Sequence, residues 1–575
     1  MTNDMWRWQR ALLVPMCGLV AVACAPGSSS NTTGGERATN PTAAISRVTL
    51  ANGLEVGNLA TKLQLSGGYD QDYLLMSNSP LVVLDPRGAP LPRLAAELPA
   101  QDRGSWQVNA DGSMATTWKI RPNAIWHDGQ PVTSKDFVFA LKVYLDEAIP
   151  VRERQPERFI DRIDPVDAST FTIRWKVSYA AADRLLSGEM EPLPSHILAP
   201  LYDSDKDAFV NAPFWSSTAY IGAGPYRLMD WDKGVRLVYR AFDGYFLGRP
   251  KLDEVVFHVV TDVDTVPALL LSGAVDASVA FVLTQEGAQG VQQQWSRTGE
   301  GQVITYPVWL RAPQFQLDPA RNQQPALLDL RVRRAIAHGV DRAGLVEAIL
   351  GDPTLVADTM VPPASPLYPR VQSAITTYPF NPERSLALLQ EVGWTKRGDQ
   401  LVDANGQRFT LDIQGSNRGV NLREAGIIAA NLRNLGMQVT ETPISTAQAQ
   451  SPEGSASFPG LAITTAAIDI PRGMSRLTST ECKTAQNHFT GSNTGCWLNP
   501  EYDRLFHLAS TTLDEGQRAD TIIDLLKVQT ADLPVFGDFY HTENFGVRKG
   551  LMGLTPRWPS QSGHTWNAHE WYWAS

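Results

Sequence analysis

The chain has 575 residues, of which 43% are hydrophobic, and a formal net charge of −10 at pH 7. A chain of this length forms several folding units that each bury a core, so a peptide hormone or a single small module is excluded. The 50 lysines and arginines do not outnumber the 60 acidic residues. No run of like charges could follow a phosphate backbone, which argues against a nucleic-acid partner.

The N-terminal residues have the order of an export signal. Arg7 and Arg10 precede an apolar stretch from Ala11 to Ala23 that ends in small residues. This stretch is shorter than the roughly 20 residues that a membrane-spanning helix needs. We therefore predict a signal peptide over residues 1–24. The Ser-, Thr- and Gly-rich residues 25–44 are predicted to form a flexible tether.

The end of this signal resembles the lipobox of bacterial lipoproteins. Cys24 follows Ala21, Val22 and Ala23, with alanine at Ala21 where leucine is commoner. The resemblance implies that the thiol of Cys24 is acylated and that the exported protein is anchored by lipid to the outer face of the cytoplasmic membrane. An ordinary cleaved signal with an incidental cysteine is the alternative.

Cys482 and Cys496 are the two cysteines left after Cys17 in the signal and Cys24 at its end. In an exported protein such a pair predicts a disulfide, worth about 3 kcal/mol for a loop of this length. Two free buried thiols are the alternative. The histidines are scattered, without a CxxC or an HExxH motif, so we predict no metal site.

Strand and helix signals alternate from the first third of the chain. Thr133 and Asp136 have the spacing of a capping box at the start of a helix. Phe171, Ile173 and Trp175 alternate with polar residues and predict a strand with one buried face. Both signals are clear enough to fix the type of element.

Two later helices carry their own start and stop signals. One is predicted to begin after Asn381 and to stop at Gly393, and another ends at Gly436 and is followed at once by a strand-like segment. Helices that lead directly into strands indicate α/β sheets. Residues 447–494 look irregular, and a long loop on a packed scaffold is a candidate ligand contact.

The chain lacks the complete sequence motifs of several known enzyme classes. Gly222-Ala223-Gly224 lacks the third glycine of a dinucleotide fingerprint, because Arg227 stands there. The chain has no phosphate-binding GxxxxGK[ST] and no GxSxG nucleophile elbow. We therefore predict a protein that is not an enzyme and that needs no cofactor.

The segment WKIRPNAIWHDGQPVTSKDFVFAL, residues 118–141, closely resembles the hallmark of the extracytoplasmic solute-binding proteins of family 5. These are the oligopeptide-, dipeptide- and nickel-binding components of ABC importers. Further blocks resemble the family in the expected order, so that the resemblance covers about residues 74–555. They include LPRLAAELP, LPSHIL, GAGPYRL, DLRVRRAIAHGVDRAGLVEAILG and LNPEYDRLFHLA. The glycines Gly222 and Gly224 of one block are interpreted as a bend of the chain.

The resemblance implies an α/β, periplasmic-binding-protein-like fold of type II, with two lobes joined by a hinge. Lobe I would hold residues 45–303, with an inserted subdomain at about 79–218. Lobe II would hold residues 304–530, and residues 531–575 would return to lobe I. A solute in the cleft touches both lobes and stabilises the closed state. The implied partners are this solute, membrane permease subunits and a separate ATPase, since the chain lacks a nucleotide-binding motif.

Peptide-binding members of the family hold the α-amine of the ligand with an aspartate of lobe II. The corresponding stretch here is Leu461–Gly473, in which Asp469 is the only acid. Asp469 stands about two positions beyond the position of the family's carboxylate, which Ala467 occupies here. A charge-assisted hydrogen bond to the α-amine contributes about 1.5–3 kcal/mol, so its loss would change the specificity for the ligand. Asp469 remains a candidate for this role.

Other candidate ligand residues follow the first predicted strand, lie near the expected hinge and cleft, or belong to the strand after the first crossing. They are Tyr69, Asp70, Tyr73, Trp309, Gln314, Gln316 and Trp497. The predicted function is capture of a peptide or a similar solute for an importer. The chain has 16 tryptophans, and indole faces suit sugar rings, so a carbohydrate or glycolipid receptor is an alternative. A sensor or hydrolase on the same scaffold is another.

Overall fold

The computed structural model describes residues 45–63, 70–151, 154–417, 419–445, 448–449, 451–468, 472–487, 489, 491–557 and 563–574. The predicted signal, tether and lipidated Cys24 lie outside the described residues, as do Tyr69 and Asp469. Within the described ranges, no helix combines the length and the apolar character needed to cross a bilayer.

The labelled strands, in chain order, are β1 (Arg47–Asn52), β2 (Val82–Leu84), β3 (Pro90–Pro92), β4 (Trp106–Val108), β5 (Met114–Lys119), β6 (Ile160–Pro165), β7 (Thr170–Trp175), β8 (Tyr226–Asp232), β9 (Arg236–Ala241), β10 (Glu254–Val259), β11 (Ala277–Val279), β12 (Gly301–Arg311), β13 (Gln314–Phe315), β14 (Thr395–Arg397), β15 (Gln400–Val402), β16 (Thr410–Ser416), β17 (Gln438–Ile444), β18 (Leu461–Ala462), β19 (Thr465–Ala467), β20 (Phe539–Arg548), β21 (Leu551–Met552) and β22 (Tyr572–Trp573).

The labelled helices are α1 (Gln71–Ser77), α2 (Ser134–Leu145), α3 (Ser195–Ser204), α4 (Lys206–Val210), α5 (Val266–Ser272), α6 (Gln285–Thr298), α7 (Leu330–Gly339), α8 (Arg342–Leu350), α9 (Tyr368–Ala374), α10 (Pro382–Glu391), α11 (Gly419–Asn434), α12 (Arg472–Ser475), α13 (Pro500–Thr511) and α14 (Glu515–Asp532).

The elements that carried clear signals form as predicted. The capping box of α2 is present, with the backbone N–H of Thr133 donating to Asp136 Oδ2 at 2.8 Å. The side chain of Asn381 accepts from the N–H of Arg384 and caps α10. Helix α11 leads into β17 through Gly436, whose φ of 94° is a left-handed conformation that glycine favours. Local propensity and packing agree at these positions.

Two main sheets divide the chain into halves with separate cores. The large sheet has the strand order β19-β12-β20-β11-β1-β10-β9-β8, and the small sheet has the order β13-β18-β16-β17. One buried apolar core includes Val48 and Phe257 of the large sheet, and another includes Phe315 and Leu411 of the small sheet. A third sheet, β4-β5-β7-β6, belongs to the predicted inserted subdomain. The predicted bilobal α/β fold is confirmed.

The chain crosses between the halves at two adjacent places. Strands β12 and β20 pair antiparallel until Arg311 faces Phe539, and Asp538 then donates its backbone N–H to the carbonyl of Arg311 at 2.9 Å. The pairing continues into the small sheet, where Gln314 forms a bridge with Val535. The boundary predicted after residue 303 falls inside β12, and the strand stays in the large sheet up to Arg311.

A buried charge cluster lies at this hinge. Arg311 donates from Nε to Glu424 Oε2 at 2.7 Å and from Nη2 to Asn421 Oδ1 at 2.6 Å. The carboxyls of Glu424 and Asp538 are fully buried, and burial raises the pKa of both. Burial therefore favours their protonated forms, and the arginine balances the remaining negative charge. The cluster ties both crossing strands to α11.

Candidate functional site

A cavity of about 500 Å³ lies between the two halves. Its first wall belongs entirely to the predicted inserted subdomain and its second wall to the other half. The first wall comprises Leu84, Gly88, Gln155, Arg158, Phe159, Val177, Ser178, Tyr179, Ala181, Arg184, Leu186 and Glu189. The second comprises Pro362, Ser365, Ile468, Ser475, Thr478, Thr480, Asp503, Phe506, His507, Ser510 and Thr511. A cavity of this size suits a small organic solute.

The first wall is aromatic and is held by a buried ion pair. The ring of Tyr179 stacks on Trp175, at the end of β7, with ring centroids 5.2 Å apart. Phe159, whose ring lies 5.7 Å from that of Tyr179, ends a short 3-10 helix that begins at Glu157. The carboxylate of Glu157 lies 2.5 Å from Lys62 Nζ, and both side chains are buried. This pair fixes the turn that presents the wall.

One face of α13 supplies part of the second wall. Asn499 caps the helix by accepting from two backbone N–H groups, and Pro500 occupies the first position, where its missing N–H costs nothing. One face packs into the core. The neighbouring face lines the cavity at helical spacing. The core-facing side chains are Tyr502, Leu505 and Ala509, and the cavity-lining ones are Asp503, Phe506, His507, Ser510 and Thr511.

The two walls touch at one rim of the cavity. The backbone N–H of Ala180 donates to the carbonyl of Ser510 at 2.8 Å, which joins the inserted subdomain to α13. A direct backbone hydrogen bond between the halves marks a closed arrangement at this rim. A solute in the cavity therefore contacts both halves at once.

The first wall carries two cations and one carboxylate, that of Glu189, and the second wall carries one carboxylate. Arg158 and Arg184 line the first wall, and Arg184 Nε lies 3.1 Å from Asp183. Asp503 lines the second wall and accepts a hydrogen bond from the N–H of Ser479 at 2.9 Å. In the described ranges, no group of three or more His, Cys, Asp or Glu side chains could hold a metal ion.

Three of the predicted ligand residues are structural. Tyr73 is fully buried and packs on Phe257, and its hydroxyl donates to the carbonyl of Leu54 at 3.0 Å. Gln316 is fully buried and donates to two backbone carbonyls. Trp497 is 3% exposed and donates from Nε1 to Asp532 at 2.5 Å. These contacts satisfy the polar groups inside the core, so none of the three lines the cavity.

Asp70, Gln314 and Trp309 also lie outside the cavity wall. Asp70 Oδ1 accepts from the N–H of Asp72 at 2.6 Å and caps α1, and burial raises the pKa of Asp70 to about 7. Gln314 Oε1 accepts from Thr494 Oγ1. The indole of Trp309 lies 6.5 Å from the ring of Phe281, by centroids. Trp309 and Gln314 thus lie beside the crossings between the two sheets, and Asp70 lies at the start of α1.

The predicted disulfide between Cys482 and Cys496 is confirmed, with their Cα atoms 4.6 Å apart. It lies at the end of the irregular segment 447–494. This segment supplies four of the second-wall residues, Ile468, Ser475, Thr478 and Thr480. The prediction that the segment lies at a site therefore agrees with its position at the cavity.

None of the individually named ligand candidates among the described residues lines the cavity, and only the irregular segment pointed to lining residues. A signal existed in α13, where Asp503, Phe506 and Ser510 form a second helical stripe beside the apolar one. On the first wall, Val177 and Tyr179 continue beyond the end of the predicted strand, so their alternation gave no hint of a cavity. Pairing of the two walls depends on the closed arrangement of the halves, which no local pattern encodes.

Comparison with known proteins identifies the relatives of the chain. Residues 97–484 match the family described as bacterial extracellular solute-binding proteins, family 5 Middle. The oligopeptide-binding protein AppA of Bacillus subtilis is 25% identical over 338 residues, which are 57% of this chain and only 58% of AppA. An ABC transporter peptide-binding protein of Brucella ovis is 24% identical over 553 residues, 92% of this chain and 94% of that protein.

A solved structure shares the fold over almost the same length. The oligopeptide-binding protein of Thermus thermophilus, crystallised with a pentapeptide, superposes with a TM-score of 0.75 at 21% identity and covers 92% of this chain and 96% of its own. The family match and the names of the relatives support the role of a substrate-binding protein of an ABC importer. With more than half of its residues matched, the chain belongs to the bacterial extracellular solute-binding proteins of family 5.

Proposed function

We propose that the protein captures a peptide-like solute with charged ends between its halves and delivers it, chemically unchanged, to a membrane permease. The observation that carries this proposal is the cavity whose first wall holds Arg158 and Arg184 with a single acid, Glu189, and whose second wall holds Asp503. A solute with a cationic and an anionic end complements both walls. Its binding stabilises the closed arrangement because it contacts the two halves together.

The chemistry of the cavity favours this solute over a neutral sugar. No tryptophan occurs among the described lining residues, whose aromatic members are Phe159, Tyr179 and Phe506. The number of tryptophans in the chain therefore does not support a carbohydrate ligand at this cavity. Charged walls also cost more to desolvate when the ligand brings no counter-charge.

Asp503→Asn tests the proposal directly. In the wild type, we expect a tripeptide with free ends to raise the melting temperature more than its N-acetylated form, because only the free amine carries a charge for Asp503. A ligand at 100 times its Kd adds about 2.7 kcal/mol of stability. In the variant, we expect the affinity for the free-amine peptide to fall about tenfold or more, because a charge-assisted hydrogen bond is lost. Calorimetric titration measures the loss.

Asp524→Asn is the matched control, because Asp524 lies on α14, outside the cavity, and pairs with Lys527 at the surface. It should leave both affinities unchanged. A neutral oligosaccharide serves as the competing ligand. A melting shift with the oligosaccharide and none with any peptide would reject the proposal in favour of a carbohydrate receptor.

We further propose that the two lobes meet at the end of the β12–β20 ladder, with lobe I holding residues 45–311 and 539–575 and lobe II holding residues 312–538, so that the boundaries expected at 303 and 530 move to this point. Export followed by acylation of Cys24 would hold the receptor at the outer face of the cytoplasmic membrane. The resemblance of residues 21–24 to a lipobox supports this anchor. We expect the mass of the mature N-terminal peptide to show Cys24 as an acylated first residue, and an unmodified Cys24 would refute the anchor.

A further inference from the structure

A second cavity lies beside the first, at the rim where the two walls touch. It has a volume of about 220 Å³ and is also lined from both halves. Residues of the predicted inserted subdomain, among them Gln101, Trp106 and Asp183, form one side, and Leu513 and Arg518 belong to the other. Independent ligand pockets begin at roughly 300 Å³, so a cavity of this size suits part of a larger solute.

Arg184 joins the two cavities, because it lines both of them. The hydrogen bond from the N–H of Ala180 to the carbonyl of Ser510 lies at the same boundary, since Ala180 lines the second cavity and Ser510 the first. A solute that extends beyond the first cavity on this side therefore reaches the second one directly.

Arg518 is the cation that the second cavity adds. Its Nη1 donates to the carbonyls of Thr512 and Leu513, both at 3.1 Å, and these bonds hold the guanidinium at the turn between α13 and α14. Its Nη2 lies 3.7 Å from Glu515, which is beyond hydrogen-bond distance. The side chain of Glu515 is 86% exposed and that of Arg518 is 20% exposed, so solvent screens much of their attraction. Arg518 therefore has donors left for a carboxylate of the solute.

The other groups of this cavity favour the tail of a peptide over a small free anion. Arg184 Nε already lies 3.1 Å from Asp183, and cations and carboxylates are equal in number in the lining. Trp106 is half-buried, donates from Nε1 to Met114 Sδ at 3.4 Å, and supplies apolar lining with its ring. A lining of balanced charge attracts a small ion weakly, whereas a peptide tail also buries its apolar atoms there.

We propose that the second cavity binds the carboxyl-terminal residues of peptides that are longer than the first cavity holds, with the terminal carboxylate at Arg518. The inference rests on the proposed capture of peptides, in which Asp503 holds the amine. The chain of a longer peptide then runs past Arg184 into the second cavity. Two more residues extend a peptide by about 7 Å. A tripeptide therefore ends in the first cavity, and a pentapeptide reaches the second.

Calorimetric titration with trialanine and pentaalanine, both with free ends, tests the second cavity. In Arg518→Gln, we expect the affinity for pentaalanine to fall about tenfold or more and that for trialanine to stay the same, because only the longer peptide brings its carboxylate to this side chain. Amidation of the C-terminus of pentaalanine should weaken its binding to the wild type by a similar factor and its binding to the variant no further. Arg504→Gln is the matched control, since Arg504 pairs with Glu501 at the surface of α13, and it should leave both affinities unchanged.

Ala100→Phe tests the space of the cavity instead of its charge. Ala100 lines the second cavity but not the first, so a phenylalanine there fills only the second. We expect this variant to bind trialanine as the wild type does and pentaalanine about tenfold or more weakly. It leaves the contacts of Arg518 at the turn intact, so it tests the inference even where Arg518→Gln fails to fold.

An unchanged affinity for pentaalanine in either folded variant overturns the inference, as does a wild type that does not bind pentaalanine. Each of these results leaves the proposed function standing when trialanine still binds through Asp503. Loss of all peptide binding in the wild type instead rejects the proposed function, and this inference with it.

Discussion

Replacing Arg311 by methionine is expected to lower the free energy of unfolding by about 3–5 kcal/mol at neutral pH. The change removes the only cation that donates to the buried carboxyl of Glu424 among the described residues, and Asp538 is buried beside it. The two carboxyls then lie together with only Arg342, which is already paired with Asp358, to oppose their charge. Chemical denaturation at pH 7 measures the loss.

The loss should depend on pH in a defined direction. Burial already raises the pKa of Glu424 and Asp538 above their ordinary values of 4.5 and 3.8, so the folded state holds protons that the unfolded state releases. This stabilising contribution is complete below about pH 4 and is lost as the pH rises through the folded-state pKa values. The variant should therefore be closest to the wild type in acid.

Arg236→Met is the control for this prediction. Arg236 pairs with Asp230 on the exposed edge of the large sheet, with about half of each side chain accessible. Its replacement should change the stability by no more than about 0.5 kcal/mol. An equally small effect of Arg311→Met would show that the hinge does not need the guanidinium.

Gly222→Ala is expected to cost at least about 3 kcal/mol or to prevent folding. A Cβ at this position would lie 1.9 Å from the carbonyl oxygen of Ser77, and a backbone atom cannot move aside as a flexible side chain can. The neighbouring N–H of Gly224 donates to the same carbonyl at 2.8 Å. The added methyl therefore breaks the junction between this segment and α1, and the thermal midpoint of the purified variant measures the effect.

The comparison for this variant is Gly290→Ala, in the middle of α6, where a Cβ would meet nothing within 4 Å. Alanine favours a helix interior, so this change should stabilise the protein by about 0.5–1 kcal/mol. Equal behaviour of the two variants would refute the close-contact explanation.

Local signals in the sequence predicted elements well where one physical cause dominates. The capping box at Thr133 and Asp136, the asparagine cap at Asn381 and the glycine stop at Gly436 each satisfy the end of a helix within a few residues. The bend at Gly222 was also recognised. Its cause, however, is a close approach to Ser77 that is distant in sequence, and no spacing of residues reveals it.

The site was predicted less well because it depends on long-range geometry. Trp497 and Gln316 looked suited to a ligand, yet their polar atoms satisfy Asp532 and backbone carbonyls inside the core. The residues that do line the cavity, such as Tyr179 and Asp503, are 324 positions apart in the numbering and meet through packing of the halves. The family resemblance supplied the fold and the existence of a cleft, but not its lining.

The pairing of β12 with β20 limits how the receptor can move. Their hydrogen bonds run from Gly301 and Arg548 to the exit at Arg311 and continue beyond it at Gln314 and Val535. Beside them, residues 461–467 also run from the small sheet, as β18, into the large sheet, as β19. Such a narrow group of strands bends easily across its flat face, while sliding or splaying of the strands would break its ladder. The lobes should therefore swing about one axis. Cargoes of different shape would then all produce the same final outline, and a single docking surface on the permease could recognise every loaded receptor.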